Sequence, residues 1–254
     1  MISLIPSTWR SGLIALIVVA FAAGASFADE SPSRERHIRF TYQTEIGPID
    51  PAASSIRVWI PLPREDASQR VGKISVDSPV PGKIIDQHSQ RNRLVYFEAS
   101  KPLPSMLAIK VTADVARFQE SADLRRAALL RSETGDGRMA EYLQPDQLVP
   151  TNGRIATISA DLNDHAATPL DQARIIYEYV TSVMRYDKSG TGWGRGDAIY
   201  ACDVRRGNCT DFHSLFIALA RASGIPARFT IGFPLGTKRS DTIPGYHCWA
   251  EFYV

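Results

Sequence analysis

Hydrophobic residues recur every second position along the first half of this 254-residue chain and every third or fourth position along much of its last third. The two stretches need different elements. A strand turns successive side chains to opposite faces, whereas a helix gathers residues three or four apart on one side. Between His37 and Phe118, Ile38, Phe40 and Tyr42 alternate with Arg39, Thr41 and Gln43, and Ile56, Val58 and Ile60 alternate with Arg57 and Trp59. The longest run sets Leu107, Ile109, Val111, Ala113 and Val115 against Ala108, Lys110, Thr112 and Asp114. Weaker runs at 73–76 and 93–97 flank the turn sequence Pro79-Val80-Pro81-Gly82. Roughly five short half-buried strands predict a β-sandwich-like domain over residues 34–118. It holds no cysteine and no His/Asp/Glu group at metal-ligand spacing, so it reads as a packing or recognition module.

After Thr168 the period lengthens. Thr168 suits an N-cap, Pro169 the first helical position and Asp171 the positive end of a helix dipole. Ala173, Ile176, Tyr177, Val180 and Met184 then mark one helix face. A second helix is predicted over 209–223, with the apolar stripe Phe212, Leu215, Phe216 and Leu219, stopped by Gly224 and Pro226. Strands follow over 227–233 and 246–254. Residues 119–168 read as a connector holding one helical piece at 124–130, broken by Gly135-Asp136-Gly137, with Arg125 and Arg126 on a solvated face.

Residues 1–28 read as a targeting segment. Arg10 is the only charged residue before Asp29, an apolar run of roughly 11 residues fills 13–23, and small residues end at Ala28. Such a run is shorter than the ~20 residues that cross a bilayer, so a cleaved signal peptide is expected, with no membrane span afterwards. The mature protein is then exported, periplasmic or extracellular, in an oxidising compartment. Lys and Arg total 29 against 27 for Asp and Glu, which leaves no electrostatic footprint for nucleic acid. Three cysteines are too few for a disulfide scaffold, and an odd number leaves one unpaired.

The residues that could carry chemistry lie between and after the two helices. The glycine-rich run 189–197 lacks the Lys-Ser/Thr of a phosphate loop and follows a helix, so it reads as a flexible loop beside a cleft. Cys209 opens the second helix, where unpaired N–H groups favour a thiolate. A cysteine there could equally be a small buried apolar residue or half of a disulfide. His247 shares a strand face with Trp249, Glu251 and Tyr253, and could take the thiol proton and return it to a leaving group. Cys248 lies on the opposite face, which makes it a poor candidate for the same site. A metal set drawn from Cys202, Cys209, His213, His247 and Cys248 lacks any C-x-x-C or H-x-x-x-H, so no metal is expected. A Cys202–Cys248 disulfide would leave Cys209 free.

The turn Gly207-Asn208-Cys209-Thr210-Asp211-Phe212 resembles the nucleophile motif of the bacterial transglutaminase-like superfamily. The helix after it, its ending Gly224-Ile225-Pro226-Ala227-Arg228 and the strand from Gly245 to Glu251 carry the same resemblance, over residues 169–254. Tyr142-Leu143 through Val149-Pro150 is similar to the lead-in of such cores. The resemblance implies a papain-like α+β fold and a Cys-His-Asp triad, with Cys209 as nucleophile and His247 as general base and acid. It further implies that the Cys209 backbone N–H holds the oxyanion, with Trp193 or a neighbour in its loop as a second donor. The triad Asp belongs on a strand after His247. Asp241 does not match that position, so the core is expected to be incomplete at its C-terminal end. The implied activity is thiol-dependent acyl transfer or hydrolysis on amide or peptide substrates, hydrolysis being favoured, with peptide or protein partners and no cofactor. The alternative is a degenerate fold kept as a protein- or peptide-binding module.

Overall fold

Among the described residues the first half folds into six strands. The computed structural model describes residues 35–87, 92–127, 137–164 and 166–254. The predicted signal peptide and the Gly135-Asp136 break lie outside the described residues. The strands are β1 (Glu35–Ile46), β2 (Ser55–Pro61), β3 (Gln69–Asp77), β4 (Gly82–Gln87), β5 (Asn92–Ser100) and β6 (Leu107–Phe118). They form two sheets, ordered β1-β6-β3 and β2-β5-β4. Strands β1 and β6 pair from Glu35 opposite Phe118 to Ile46 opposite Leu107, with no slip in register. Leu107, Ile109 and Val111 of β6 share one core with Ile60 of β2 and with Val95 and Phe97 of β5, so both sheets contribute inward faces, as in a sandwich. Strand β4 is the one alternation does not predict. Only Ile85 along it is even half-buried, and a strand without a buried face has no reason to alternate.

By contact the chain divides into two compact units. Among the described residues, one comprises those up to Ile84 with Leu94–Glu120, the other those of Ile85–Arg93 with Ser121–Val254. In the second unit a short helix α1 (Leu124–Ala127) leads to a 3-10 segment, Gly137–Leu143, and then to α2 (Gly153–Asn163) and α3 (Pro169–Val183). The α3 start follows its sequence signals: Thr168 caps it by accepting the Asp171 N–H at 3.1 Å, and Pro169 fills the first turn. Two-residue strands β7 (Arg185–Tyr186) and β8 (Arg206–Gly207) pair in parallel around α4 (Ala198–Val204). Helix α5 (Cys209–Ala222) follows, then β9 (Ala227–Gly232) and β10 (His247–Phe252), which pair antiparallel from His247 opposite Gly232 to Phe252 opposite Ala227.

Helix α5 is the centre of this unit. Every residue from Ser214 to Ala220 is buried, so the helix is covered on all sides and the predicted four-residue stripe marks only part of its packed surface. Ile155 of α2, Ala173, Ile176 and Val180 of α3, and Ala198 and Ala201 of α4 join it in one core. The stretch 119–168, predicted as a connector, therefore contributes a packed helix to this unit. Gly224 ends α5 at φ +79°, and the Ile225 N–H bonds back to the Ala220 carbonyl at 2.9 Å, a closure a side chain at 224 would strain. Among the described residues no helix is long and apolar enough to cross a membrane.

Candidate active site

The turn before α5 fixes where Cys209 stands. Arg205 leaves α4 in the left-handed conformation, φ +56°, and the chain passes through β8 to Asn208. The Asn208 side chain accepts the Thr210 N–H at 2.9 Å, and the Asp211 carboxylate accepts the Asn208 N–H at 2.9 Å, a reciprocal capping box. The Asn208 carbonyl takes the N–H groups of Asp211 and Phe212 at 3.1 and 3.2 Å. Cys209 is thus the first residue of a firmly capped helix, partly buried, at the positive end of the helix dipole.

Asp211 does more than cap. It is wholly buried and also accepts the N–H groups of Gly194 at 2.7 Å and Gly196 at 3.3 Å. Gly190, Gly192, Gly194 and Gly196 lie at φ +75°, +92°, +80° and +70°, alternating with residues of ordinary hand. Such alternation curls backbone N–H groups around an anion, and here the anion is the chain's own carboxylate. The loop is therefore pinned to the start of α5, where the sequence predicted a flexible one. The expected second oxyanion donor, Trp193, spends its indole N–H on the Gly190 carbonyl at 3.2 Å, inside its own loop. Lys188 holds its ammonium 5.8 Å from the Tyr186 ring and 6.0 Å from the Trp193 ring.

Strand β10 corrects one expectation. Cys248 does not point away from Cys209. Its face, with Ala250 and Phe252, is the one packed on α5, and Phe252 meets Phe216 with ring centroids 5.8 Å apart. The buried Cys248 thiol lies beside Cys209 and Thr210, and its sulfur is 3.5 Å from His213 Nδ1. Burial, helped by the neighbouring Cys209, pushes Cys248 up to about 12, so it stays a thiol. Burial and then the charge of His247 hold His213 below the ordinary histidine range, so it stays neutral near pH 7. His213 was visible in sequence four residues after Cys209; its partner was not, because strand alternation does not say which face a helix will cover. All three cysteines are free, so Cys202 and Cys248 form no disulfide. Cys202 is buried in the helical core, where desolvation raises its thiol pKa. Among the described residues no three His, Cys, Asp or Glu side chains are placed to hold a metal ion.

His247 opens β10 with its side chain exposed, its ring stacked on Trp249 with centroids 6.3 Å apart and planes at 28°. No hydrogen bond joins it to Cys209 among the described residues. The Trp249 indole N–H donates to Glu251 at 2.9 Å, and Arg228 Nε donates to the other Glu251 oxygen at 2.7 Å. Burial alone would raise the Glu251 carboxyl, but the bonds from Trp249 and Arg228 outweigh it and hold it below the usual range. The Arg228 guanidinium lies 5.5 Å from the Tyr142 ring and 5.7 Å from the Tyr253 ring, the two rings being stacked 5.6 Å apart.

With this geometry in hand, known proteins give a consistent comparison. The transglutaminase-like superfamily model matches residues 156–254, the stretch holding Cys209, α5 and β10. An uncharacterised protein of Haemophilus influenzae is 26% identical over 222 residues, covering 78% of this chain and 60% of that protein. The chain thus spans about three-fifths of that relative's length. A candidate cysteine protease from Cytophaga hutchinsonii superposes with a TM-score of 0.68 at 19% identity, over 88% of this chain and 74% of that one, and shares its fold. The periplasmic domain of TgpA from Pseudomonas aeruginosa aligns over 87% of this chain and 68% of that one at 17% identity, with a TM-score of 0.40, too distant in shape to bear on function.

Proposed function

We propose that this chain, whose residues 156–254 match the transglutaminase-like superfamily model, is an exported enzyme of thiol-dependent acyl transfer that hydrolyses amide or peptide bonds. Cys209 is the nucleophile and His247 the general base and acid. The observation that carries this reading is Cys209 as the first residue of the capped α5, partly exposed at the positive end of the helix dipole. His247 takes the thiol proton, and the sulfur adds to the substrate carbonyl. The Cys209 N–H meets the oxyanion, and the amine leaves with the proton from the imidazolium. Water, deprotonated by the same imidazole, then cleaves the thioester. Cys248 remains a thiol at about 12, so it offers no competing nucleophile.

The test compares wild type with Cys209→Ala and His247→Ala on a panel of peptide amides. Each variant is expected to lose at least about a thousandfold in kcat, as members of a catalytic unit do. Turnover that persists in Cys209→Ala overturns the reading. Export rests on residues 1–28, and N-terminal sequencing of protein from a secreting host is expected to begin at Asp29. A second reading, a fold kept to bind peptides, draws on the missing hydrogen bond between Cys209 and His247. Catalytic hydrogen bonds often tighten only with substrate bound, so peptide binding without turnover is the result that favours this alternative.

A further inference from the structure

His247 follows the exposed loop 233–246 and opens its strand. Its ring stacks on that of Trp249, with centroids 6.3 Å apart and planes at 28°. We propose that Glu251 is a positioning residue for His247 and acts through Trp249. The inference rests on the reading of His247 as the base.

Trp249 is a fixed plane. Its indole crosses the neighbouring strand at Gly232, where an added Cβ would come within 2.8 Å of the ring, so this position has to be glycine for the indole to lie there. Its N–H is bonded to Glu251, which stops the ring from rotating about its long side chain. Glu251 is itself held on both sides, because one oxygen takes the indole N–H and the other takes Arg228. Arg228 is anchored in turn against Tyr142 and Tyr253 and donates to the Tyr142 hydroxyl at 3.3 Å. The consequence is a chain of contacts that runs from a half-buried guanidinium to an exposed imidazole. It sets the plane of the imidazole by stacking while leaving both ring nitrogens free for proton transfer. A displacement of about 1 Å at such a group costs on the order of a hundredfold in rate, so a partial slip is measurable.

The test is the rate at which iodoacetamide alkylates Cys209, followed on the Cys209 peptide by mass spectrometry across the neutral pH range, with folding checked by circular dichroism. Glu251→Gln leaves one acceptor oxygen, which the charged Arg228 takes, so the NH2 faces the indole N–H and the indole is released. It is expected to slow alkylation about tenfold and to move the lower limb of the pH profile toward that of His247→Ala. Trp249→Phe keeps a ring and the Arg228–Glu251 pair but loses the N–H, and is expected to slow alkylation by itself. Adding Glu251→Gln to Trp249→Phe is then expected to change nothing further, since the two act in series. Full multiplication of the two effects in the double variant overturns the proposal. So does a Glu251→Gln protein that reacts like wild type while His247→Ala is slow. If His247→Ala itself reacts like wild type, the reading of His247 as base has failed, and the positioning role with it.

Discussion

Asp211 accepts the N–H of Gly194 at 2.7 Å across 17 positions of sequence, so the first turn of α5 and the glycine loop move as one object. Because this carboxylate is wholly buried and serves three N–H donors, its loss leaves donors without partners. Asp211→Asn turns an NH2 toward them. A loss of about 2 kcal/mol is expected in urea unfolding, with faster tryptic cleavage after Arg195 in the native protein. Unchanged stability would show that the loop is held by something else.

Gly207 is expected to be intolerant for a reason that can be isolated. A Cβ there would lie 2.6 Å from the Asp211 Cβ, an atom fixed to the helix backbone. Gly207→Ala is expected to cost roughly 1–3 kcal/mol and to slow Cys209 chemistry by shifting the helix start. Gly245→Ala, where nothing lies within 4 Å, is the matched control and is expected to be neutral.

Acid should weaken the second unit in two stages. The His213 pKa is held below its ordinary 6.5 by burial and by His247, so below that value the unfolded chain binds the extra proton and stability falls. Glu251 is held below its ordinary 4.5, so its contribution is complete above that value and is lost as pH drops through the folded pKa. His213→Gln is expected to flatten the first stage of a thermal-melt pH series and to leave the second. A first stage that survives the substitution assigns it to another group.

The three thiols should react in order. Cys202 and Cys248 are buried, and Cys248 is pushed up to about 12, whereas Cys209 is only partly covered. Native protein treated with iodoacetamide near pH 7 is expected to be labelled at Cys209, the other two reacting only after denaturation. Non-reducing peptide maps are expected to show no Cys202–Cys248 link. Co-labelling of Cys248 would mean that its cover on α5 opens readily.

Local chemistry was legible in the sequence. Thr168-Pro169 started α3 and Gly224 stopped α5 because caps depend on a few adjacent residues. Strand faces in the first unit followed from alternation wherever a face was buried, and β4 escaped because none was. The candidate site was half legible. Cys209 at a helix start needed only the turn around it, but the orientation of β10 is a tertiary choice: alternation divides His247 from Cys248 without saying which of them meets α5. Asp211 was in plain view three residues after Asn208, at capping-box spacing. Its second duty toward Gly194 and Gly196 could not be read, since it depends on a loop returning from earlier in the chain.

The alternating glycines at 190, 192, 194 and 196 set terms for any redesign of this rim. All four carry backbone angles that side chains resist, so variation is confined to Thr191, Trp193 and Arg195 between them. Thr191 and Arg195 are exposed, and Trp193 is partly so. The loop is a three-position alphabet on a closed backbone, and a change in what it meets is most readily written in those three letters.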